Sequence, residues 1–410
     1  MTKDRTILHC DCNSFFASVE LLSLPELRDK PVAVCGDPEH RHGIILAKNE
    51  HAKKYGVNTA ETIWQAKRKC PDLILIPPHH ERYSKYSKII NKIYEGFTSQ
   101  VEPFGIDESW LDVTGSLHLF GDGETIANTI RERIRSELGL TVSVGVSFNK
   151  VFAKLGSDLK KPDATSVITR ENFKKVIWPL PANSLLYVGK VAADILARHG
   201  VHTIGELASF DRGTISYLLG KTGETILDFA NGIDESPVAY IGESRELKSV
   251  GNGMTFKRNL VSQADIRLGV KVLADSVATR LRAHGMKCRT VQVLIRDPDF
   301  KSISRQRKLP RPTNLTKEMS DTATDIITKA WKAGAPIRMV TITGSQLVPE
   351  NEAAEQLDLF SGINEKESEK QEKLERAIDQ IRGRYGHGAI SMGMIPQDND
   401  LGLGDYVDEE

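Results

Sequence analysis

Three acidic residues stand in apolar surroundings, and their types and spacing suit phosphoryl-transfer chemistry. Asp11 ends the apolar run TILHCDC, while Asp107 and Glu108 lie in GIDESWLDV. An ionised carboxylate among apolar residues is costly unless it is paired or binds a metal, and no Lys or Arg flanks the second pair in sequence. Hard oxygen ligands of this kind suit Mg²⁺. Two such ions about 4 Å apart would hold the attacking and leaving oxygens of a phosphoryl displacement.

The second pair leaves two interpretations open. Adjacent residues on a regular strand point to opposite faces, so Asp107 and Glu108 converge only if the hairpin bends, which Gly105 permits. Otherwise IDESWLD is a salt-bridged or solvent-exposed acidic hairpin.

The turn that follows Asp11 predicts an anion site. It contains Cys12, Asn13, Ser14, Phe15 and Phe16, and it opens a helix. Backbone N–H groups at a helix N-terminus bind anions, so a metal-bound triphosphate would fit there. Lys161, in SFNKVFAKLGSDLKKPDATS, is a further cationic candidate, although most lysines are simply solvated.

These residues need a sheet to position them, and the apolar patterns predict one. TILHCDC is typical of a strand, and NSFFASVELL of a helix with Phe15, Val19 and Leu22 on one stripe. VEPFG and IDESWLDV form a predicted hairpin. The alternating valines of TVSVGVS indicate a strand packed on one face.

Length and composition restrict the class of protein. A chain of 410 residues predicts two to four domains. No apolar run approaches the roughly 18 residues that a membrane span needs, and no secretory signal precedes the first strand, so we expect a cytoplasmic protein without membrane contact. The five cysteines are odd in number and lack C-x-x-C spacing, which favours reduced core thiols.

Charge is unevenly distributed although the net charge is zero. Residues 245–349 hold 20 Lys/Arg against 8 Asp/Glu, and residues 350–410 hold 6 against 16. A basic block of this size is typical of a protein that binds the phosphate backbone of nucleic acid, with a merely solvated surface as the alternative.

Two regions are candidates for DNA contact. LLYVGKVAADILARHGVHTIGELA resembles a helix-hairpin-helix around Gly189 and Lys190, although only one of the two usual glycines is present, and plain helical packing is the alternative. Beyond a linker, the pattern predicts a βαββαβ unit. The two middle strands of that unit carry six basic residues, namely Arg289, Arg296, Lys301, Arg305, Arg307 and Lys308.

Three segments together carry a family resemblance. DCNSFFASVE, GIDESWLDVTG and SVGVSFNKVFAKLGSDLKKPD resemble the signature segments of Y-family translesion DNA polymerases, and the resemblance covers about residues 5–349. It implies an α/β multidomain right-hand polymerase. The implied domains are an αβ palm (1–17 and 78–170), small fingers (18–77), a helical thumb (171–234), a βαββαβ little finger (245–349) and an acidic tail (350–410).

The resemblance also implies roles for the site residues. Asp11, Asp107 and Glu108 become the catalytic ligands of two Mg²⁺ ions, with the Cys12 carbonyl as an extra ligand. Lys161 becomes a triphosphate contact. Phe16 becomes a steric gate, an aromatic ring under the incoming sugar that leaves no room for a 2′-OH. Phe15 still fits core packing, since it shares the apolar stripe of its helix.

The fingers depart from one branch of this family. Members resembling polymerase IV carry Thr, Tyr and Arg where this chain has Ala47, Glu50 and Lys53. Lys53 can still meet a phosphate, whereas Glu50 cannot act as the Tyr does. The pattern A-K-N-E-x-A-K looks closer to the catalytic subunit of polymerase V and related UV-damage proteins, and the subfamily is left open.

The acidic tail carries a short motif. QLDLF, which is Gln356, Leu357, Asp358, Leu359 and Phe360, resembles the pentapeptide by which bacterial DNA enzymes bind the sliding clamp. Apolar residues in acidic company predict a peptide that docks in a partner's groove, with packing on its own domain as the alternative. The segment KESEKQEKLERAIDQIRGRYG that follows predicts a charged, solvated helix.

The predicted function is template-directed, low-fidelity DNA synthesis for lesion bypass. A primer 3′-OH would attack the α-phosphate of a dNTP, and the protein would act on primer–template DNA as a monomer at the nucleoid. One alternative is another palm-type nucleotidyl transferase, such as a nucleotide cyclase. The other is a non-catalytic, clamp-bound DNA-binding damage-response factor. Neither a basic βαββαβ unit nor QLDLF is needed by a cyclase.

Overall fold

The computed structural model describes residues 4–37, 43–243, 246–352, 365–390 and 401–403. These residues form two compact units, the first containing the described residues up to 243 and the second those from 246 onward. Within the described ranges, no helix has the length and apolar character that crossing a membrane requires.

The elements of the first unit follow the chain in this order: β1 (Ile7–Cys12), α1 (Phe15–Leu22), β2 (Val32–Cys35), β3 (Ile45–Lys48), α2 (Glu50–Lys54), α3 (Ile63–Lys69), β4 (Ile74–Ile76), α4 (His80–Glu95), β5 (Val101–Pro103), β6 (Glu108–Asp112), α5 (Leu117–Phe120), α6 (Gly123–Leu138), β7 (Val142–Ser147), α7 (Lys150–Leu159), β8 (Thr165–Val167), α8 (Phe173–Ile177), α9 (Lys190–Arg198), α10 (Ile204–Ala208) and α11 (Arg212–Ala230).

A five-stranded sheet contains the predicted acidic site. Its order is β5-β6-β1-β7-β8, so β1 is central and pairs antiparallel with β6 and β7. Alternate residues of a strand face opposite sides. Leu8 and Cys10 therefore join the core with α4 and α6, whereas Ile7 packs with Trp110 and Ala153 on the other face. Asp11 belongs to the second face, which α7 covers.

Gly145 lets α7 lie against the sheet. It lies in β7, and a Cβ atom added there would collide with the backbone of Ala153 and Ser157 in α7. Because α7 reaches the sheet this closely, side chains of the helix can contact those of β1 and β6.

A three-stranded sheet forms a smaller core. Its order is β3-β2-β4, with β2 antiparallel to β3 and parallel to β4. Asn49 is the N-cap of α2, since its Oδ1 accepts from Ala52 N at 2.9 Å, and it also accepts from Val32 N at 3.0 Å. This residue joins the start of α2 to the sheet, and thereby fixes where Glu50 and Lys53 lie.

The predicted run of short helices is present as α8 to α11. Their buried apolar residues include Ile177, Leu196, Ile204 and Ile226, and Phe152 from α7 joins the same cluster. Gly189 is the N-cap of α9, with extended backbone at φ −75° and ψ 176°. The apolar faces of these helices thus form a separate helical core.

The second unit has the predicted βαββαβ order: β9 (Ser249–Leu260), α12 (Gln263–Ala283), β10 (Met286–Arg296), β11 (Ser302–Thr313), α13 (Thr316–Ala330) and β12 (Ile337–Pro349), followed by α14 (Glu365–Tyr385). The sheet is antiparallel in the order β11-β10-β12-β9. Its core contains Phe256, Leu273, Val293 and Ile327, because α12 and α13 cover one face.

The prediction that α14 is a solvated helix is wrong. Glu375 in α14 is only 3% exposed and pairs with Arg282 of α12 at 2.5 Å. Arg382 in α14 is 7% exposed and pairs with Asp275 at 2.8 Å. Some charged side chains of α14 therefore form buried ion pairs with α12 rather than facing solvent. The sequence pattern does not reveal this.

Candidate active site

Strand register brings the predicted carboxylates together. Asp11 in β1 lies directly opposite Glu108 in β6, and Cys12 N donates to Asp107 O at 3.1 Å. Directly opposed residues of an antiparallel pair share one face, with Cβ atoms about 4.5–5.5 Å apart. Asp107 precedes β6, so strand alternation does not force it away from Glu108. The predicted bend near Gly105 is thus present where β6 begins.

Two lysines hold the carboxylates. Lys161 Nζ lies 2.7 Å from Asp11 Oδ2 and 2.7 Å from Asp158 Oδ1. Lys154 Nζ, from α7, lies 2.6 Å from Glu108 Oε2. Sequence reasoning identified Lys161 but missed Lys154. Lys154 lies within α7, whereas Lys161 lies just beyond its end at Leu159.

A buried histidine lies behind Glu108 and was also missed. His9 has no exposed surface. Its Nε2 is 3.4 Å from Glu108 Oε2, and its Nδ1 is 2.9 Å from Ser157 Oγ in α7. Burial lowers the pKa of His9. The sequence could have indicated His9, because residues two apart on a strand share a face and His9 is two residues before Asp11.

Burial and charge act differently on the three carboxyl groups. Burial raises the pKa of Asp11 to about 6, against the opposing effect of Lys161. Burial and the neighbouring charge of Glu108 raise the pKa of Asp107. Burial acts to raise the pKa of Glu108 too, but hydrogen bonds from His9 and Lys154 outweigh it and lower that pKa to about 2. Crowded, part-buried carboxylates of this kind favour a bound cation.

The opposed carboxylates are oxygen donors of the kind that Mg²⁺ accepts. Among the residues that the structure describes, no group of three or more His, Cys, Asp or Glu side chains is arranged as a ready-made metal site. Mg²⁺ usually takes one or two carboxylates and completes its shell with water and substrate phosphates. The opposed carboxylates of Asp11 and Glu108 fit that requirement.

The turn after Asp11 is held by its own contacts. Asn13 Nδ2 donates to Ser143 Oγ at 2.9 Å, and Asn13 Oδ1 accepts from Asp163 N at 2.8 Å. Ser14 is the N-cap of α1 in left-handed backbone at φ 49°, and its Oγ lies 3.4 Å from Glu50 Oε1. The Asn13 side chain is therefore engaged in holding the turn, which leaves backbone N–H groups as the anion donors there.

The two phenylalanines have different environments. Phe15 is 3% exposed and belongs to the core, which agrees with the core packing expected from its helical stripe. The Phe16 ring is partly exposed and stacks on Tyr83, with ring centres 4.0 Å apart and planes 9° apart. Tyr83 donates its hydroxyl to the buried Glu20 at 2.6 Å. The stacking contact with Tyr83 thus restricts the position of the Phe16 ring.

The other predicted contacts lie on the surface. Lys53 pairs with Glu50 at 3.2 Å, and both side chains are exposed. Gly189 and Lys190 are exposed at the start of α9. The QLDLF motif, Gln356 to Phe360, lies outside the described residues.

Strand register divides the six basic residues of the second unit. Arg305 and Arg307 in β11 pair with Val293 and Val291, which face the helices, and Arg307 forms an ion pair with Asp325 of α13. Arg307 therefore lies on the helix side of the sheet. Arg296 and Lys308 lie on the sheet face opposite α12 and α13. Lys308 pairs with Thr290, and Thr290 and Arg296 alternate along β10 with the valines that face the helices. Lys301 is exposed at the turn, and Arg289 lies at a register shift.

Two family models match the chain. Residues 10–158 match the impB/mucB/samB family, and residues 247–359 match the impB/mucB/samB family C-terminal domain. A Y-family DNA polymerase chimera, Dbh-Dpo4(243-245)-Dbh, has a similar structure, with a TM-score of 0.75 and 23% sequence identity over 84% of this chain and 99% of that chain. The predicted Y-family fold is confirmed by this likeness.

Similarity to individual proteins extends along almost the whole chain. DNA polymerase IV of Acetivibrio thermocellus is 49% identical over 397 residues, which is 97% of this chain and 99% of that protein. DNA polymerase IV 1 of Bacillus subtilis is 38% identical over 392 residues, 95% of this chain and 93% of that protein. The polymerase V-like pattern around Glu50 is thus a local departure, and the chain belongs to the DNA polymerase IV family.

Proposed function

We propose that this protein is a template-directed, low-fidelity DNA polymerase for translesion synthesis, which joins dNTPs to a primer 3′-OH. Family membership supports DNA and dNTP as its substrates. The observation that carries the mechanism is the register of β1 and β6, which sets Asp11 opposite Glu108 with Asp107 at the adjoining backbone contact.

The proposed metal ligands are Asp11, Asp107, Glu108 and the Cys12 carbonyl. When bound, two Mg²⁺ ions would stabilise the attacking and leaving oxygens of the displacement. Lys154 and Lys161 form ion pairs with Glu108 and Asp11. We expect Lys161 to reach the triphosphate, together with the N–H groups at the start of α1 and the exposed Lys53. Catalysis by such a site is mainly alignment and charge neutralisation.

Sugar selection is assigned to Phe16. Its ring stacks on Tyr83, whose hydroxyl is held by Glu20, so the ring has little freedom to move aside for a 2′-OH. A rigid apolar surface rejects an added hydroxyl by steric contact and by leaving it without a hydrogen-bond partner.

The remaining proposals concern how DNA and partners are held. Residues 1–17 and 78–170 act as palm, 18–77 as fingers, 171–234 as thumb and 245–349 as little finger. Lys190 and, in the second unit, Arg296, Lys301 and Lys308 would contact DNA phosphates. QLDLF would bind a bacterial sliding clamp, and the protein would act as a monomer at the nucleoid.

Primer extension with Mg²⁺ tests the proposed function. We expect the wild-type protein to extend a primer on a DNA template and Asp107→Ala to lose almost all synthesis. Asp72→Ala, which removes an exposed acid away from the site, is the matched control. Persistent synthesis by Asp107→Ala would contradict the assigned mechanism. Cyclisation of a nucleotide without any template, or DNA binding without synthesis, would support one of the two alternatives instead.

A further inference from the structure

Trp64 in α3 is the exposed tryptophan of this chain. Its side chain is 66% exposed. The other three, Trp110, Trp178 and Trp331, each donate the indole N–H to a backbone carbonyl at 3.0–3.1 Å. Those three rings contribute to packing, whereas an indole in this exposed position contributes little to the stability of the fold.

Basic residues surround the exposed ring. The Arg68 guanidinium lies 4.8 Å from the centre of the Trp64 ring, one helical turn further along α3. Lys67 and Lys69 flank Arg68 and are exposed. Residues 48–69 hold six Lys/Arg against two Asp/Glu. The surface is therefore cationic as well as aromatic.

A second exposed aromatic residue, Tyr55, is the C-cap of α2. Tyr55 is 56% exposed. The next residue, Gly56, accepts a hydrogen bond from Lys69 Nζ at 2.8 Å, which ties the end of α3 to the turn after Tyr55. We call the surface formed by Tyr55, Trp64, Lys67, Arg68 and Lys69 the Trp64 patch. Aromatic rings interleaved with cations form the stacking platforms of proteins that bind single-stranded nucleic acid.

The Trp64 patch lies a short distance from the turn that follows Asp11 and contains Ser14. Thr62, the N-cap of α3, pairs with Ile44 immediately before β3, and Glu50, just after β3, contacts Ser14 at 3.4 Å. A strand of four residues spans roughly 13 Å. Stacked nucleotides follow one another at about 3.4 Å along one strand, so this distance corresponds to three or four of them.

We propose that the Trp64 patch binds the single-stranded template ahead of the templating base. Trp64 stacks on an unpaired base, while Arg68 and Lys67 contact the phosphates on either side; Lys69 instead pairs with Glu61 at 2.5 Å. The excess of positive charge at the patch favours a nucleic acid as its ligand. The short distance to the turn at Ser14 favours the unpaired part of the template over more distant DNA. This inference rests on the proposed function, since it needs a template-directed enzyme.

Template overhang length provides the test. We expect Trp64→Ala to weaken binding to a primer–template with a ten-nucleotide 5′ overhang by about five- to one hundredfold, the range measured for loss of one stacked base. Binding to a one-nucleotide overhang should stay unchanged, because that template does not reach the patch. Trp64→Phe should restore most of the affinity. Tyr217→Ala, which removes another exposed aromatic ring, is the matched control.

A fluorescent base locates the contact. With 2-aminopurine placed in turn at template positions about two to six ahead of the primer end, wild-type protein should change the fluorescence at one or two positions, and Trp64→Ala should not. Equal affinity of wild type and Trp64→Ala for the long overhang would overturn the proposal, as would an equal loss on both overhangs. Extension of the one-nucleotide overhang by wild type reports separately on the proposed function.

Discussion

Phe15 and Phe16 are neighbours in sequence but face different environments. Successive residues of a helix point about 100° apart, so one ring is buried in the core while the other packs at its edge. Phe15 is the buried ring, at 3% exposure. Phe16 stacks on Tyr83 at 4.0 Å and keeps an exposed edge. The difference in exposure thus indicates that Phe15 packs in the core, whereas Phe16 can contact a substrate.

Phe16→Ala should reduce discrimination against ribonucleotides, because the ring that would exclude a 2′-OH is removed. We expect the ratio of dNTP to NTP incorporation to fall by about tenfold or more, equivalent to roughly 1.4 kcal/mol of transition-state discrimination. Single-nucleotide insertion kinetics measure this ratio.

Phe15→Ala is the matched control for this experiment. It should destabilise the protein by about 3–5 kcal/mol, as expected for truncation of a buried Phe, without changing the sugar ratio of the folded fraction. Unchanged sugar selectivity in Phe16→Ala would remove Phe16 from the gate.

At the scale of elements, α14 is integrated into the second unit by buried charges. Arg282 of α12 donates to Glu375 at 2.5 Å and to Asp379 at 2.6 Å. Glu375 also accepts from Thr316 N at 3.1 Å, at the start of α13. Leu401 and Leu403 join the apolar core of the same unit. The described residues that follow the clamp-like motif therefore pack as part of the second unit.

Arg282→Met should destabilise the second unit strongly, because Glu375 and Asp379 lose their buried partner. Removal of one partner of a buried ion pair typically costs about 3–5 kcal/mol. Thermal unfolding of the full-length protein measures the loss. Arg384→Gln removes an exposed charge from the same helix and should have almost no effect. An unfolding temperature shared by both variants would contradict this role for α14.

At the scale of the whole molecule, a net charge of zero conceals a strongly basic region. Residues 245–349 hold 20 Lys/Arg against 8 Asp/Glu. The sheet of that region has one face covered by α12 and α13, and the basic residues of its uncovered face include Arg296 and Lys308. Their location predicts that DNA phosphates contact this face, with affinity that falls steeply as salt rises.

Lys308→Gln should therefore make the negative slope of log K against log salt shallower by about 0.9, the change expected for one lost phosphate contact. Salt titrations of DNA binding measure the slope. Arg307→Gln, one residue earlier, is the matched comparison, and it should leave the slope unchanged because Arg307 pairs with Asp325 on the helix side. Equal slopes for wild type and Lys308→Gln would exclude Lys308 from the interface.

Local patterns were sufficient to predict several features of the fold. The apolar run that ends in Asp11 predicted a strand, and β1 covers Ile7–Cys12. The βαββαβ order of the second unit also followed from sequence, because helical and strand periodicities differ over segments of this length. The three carboxylates were recognisable because acids are rare among apolar residues of a sheet.

Only tertiary structure decided which side chains meet. The register of β1 against β6 set Asp11 opposite Glu108, and close packing of α7 brought Lys154 to Glu108 and His9 to Ser157. Strand register likewise turned Arg307 away from the open face. Sequence by itself determined the elements and the chemical types available, since these depend on short-range periodicity. The contacts depend on register and packing between distant segments, which no local pattern encodes.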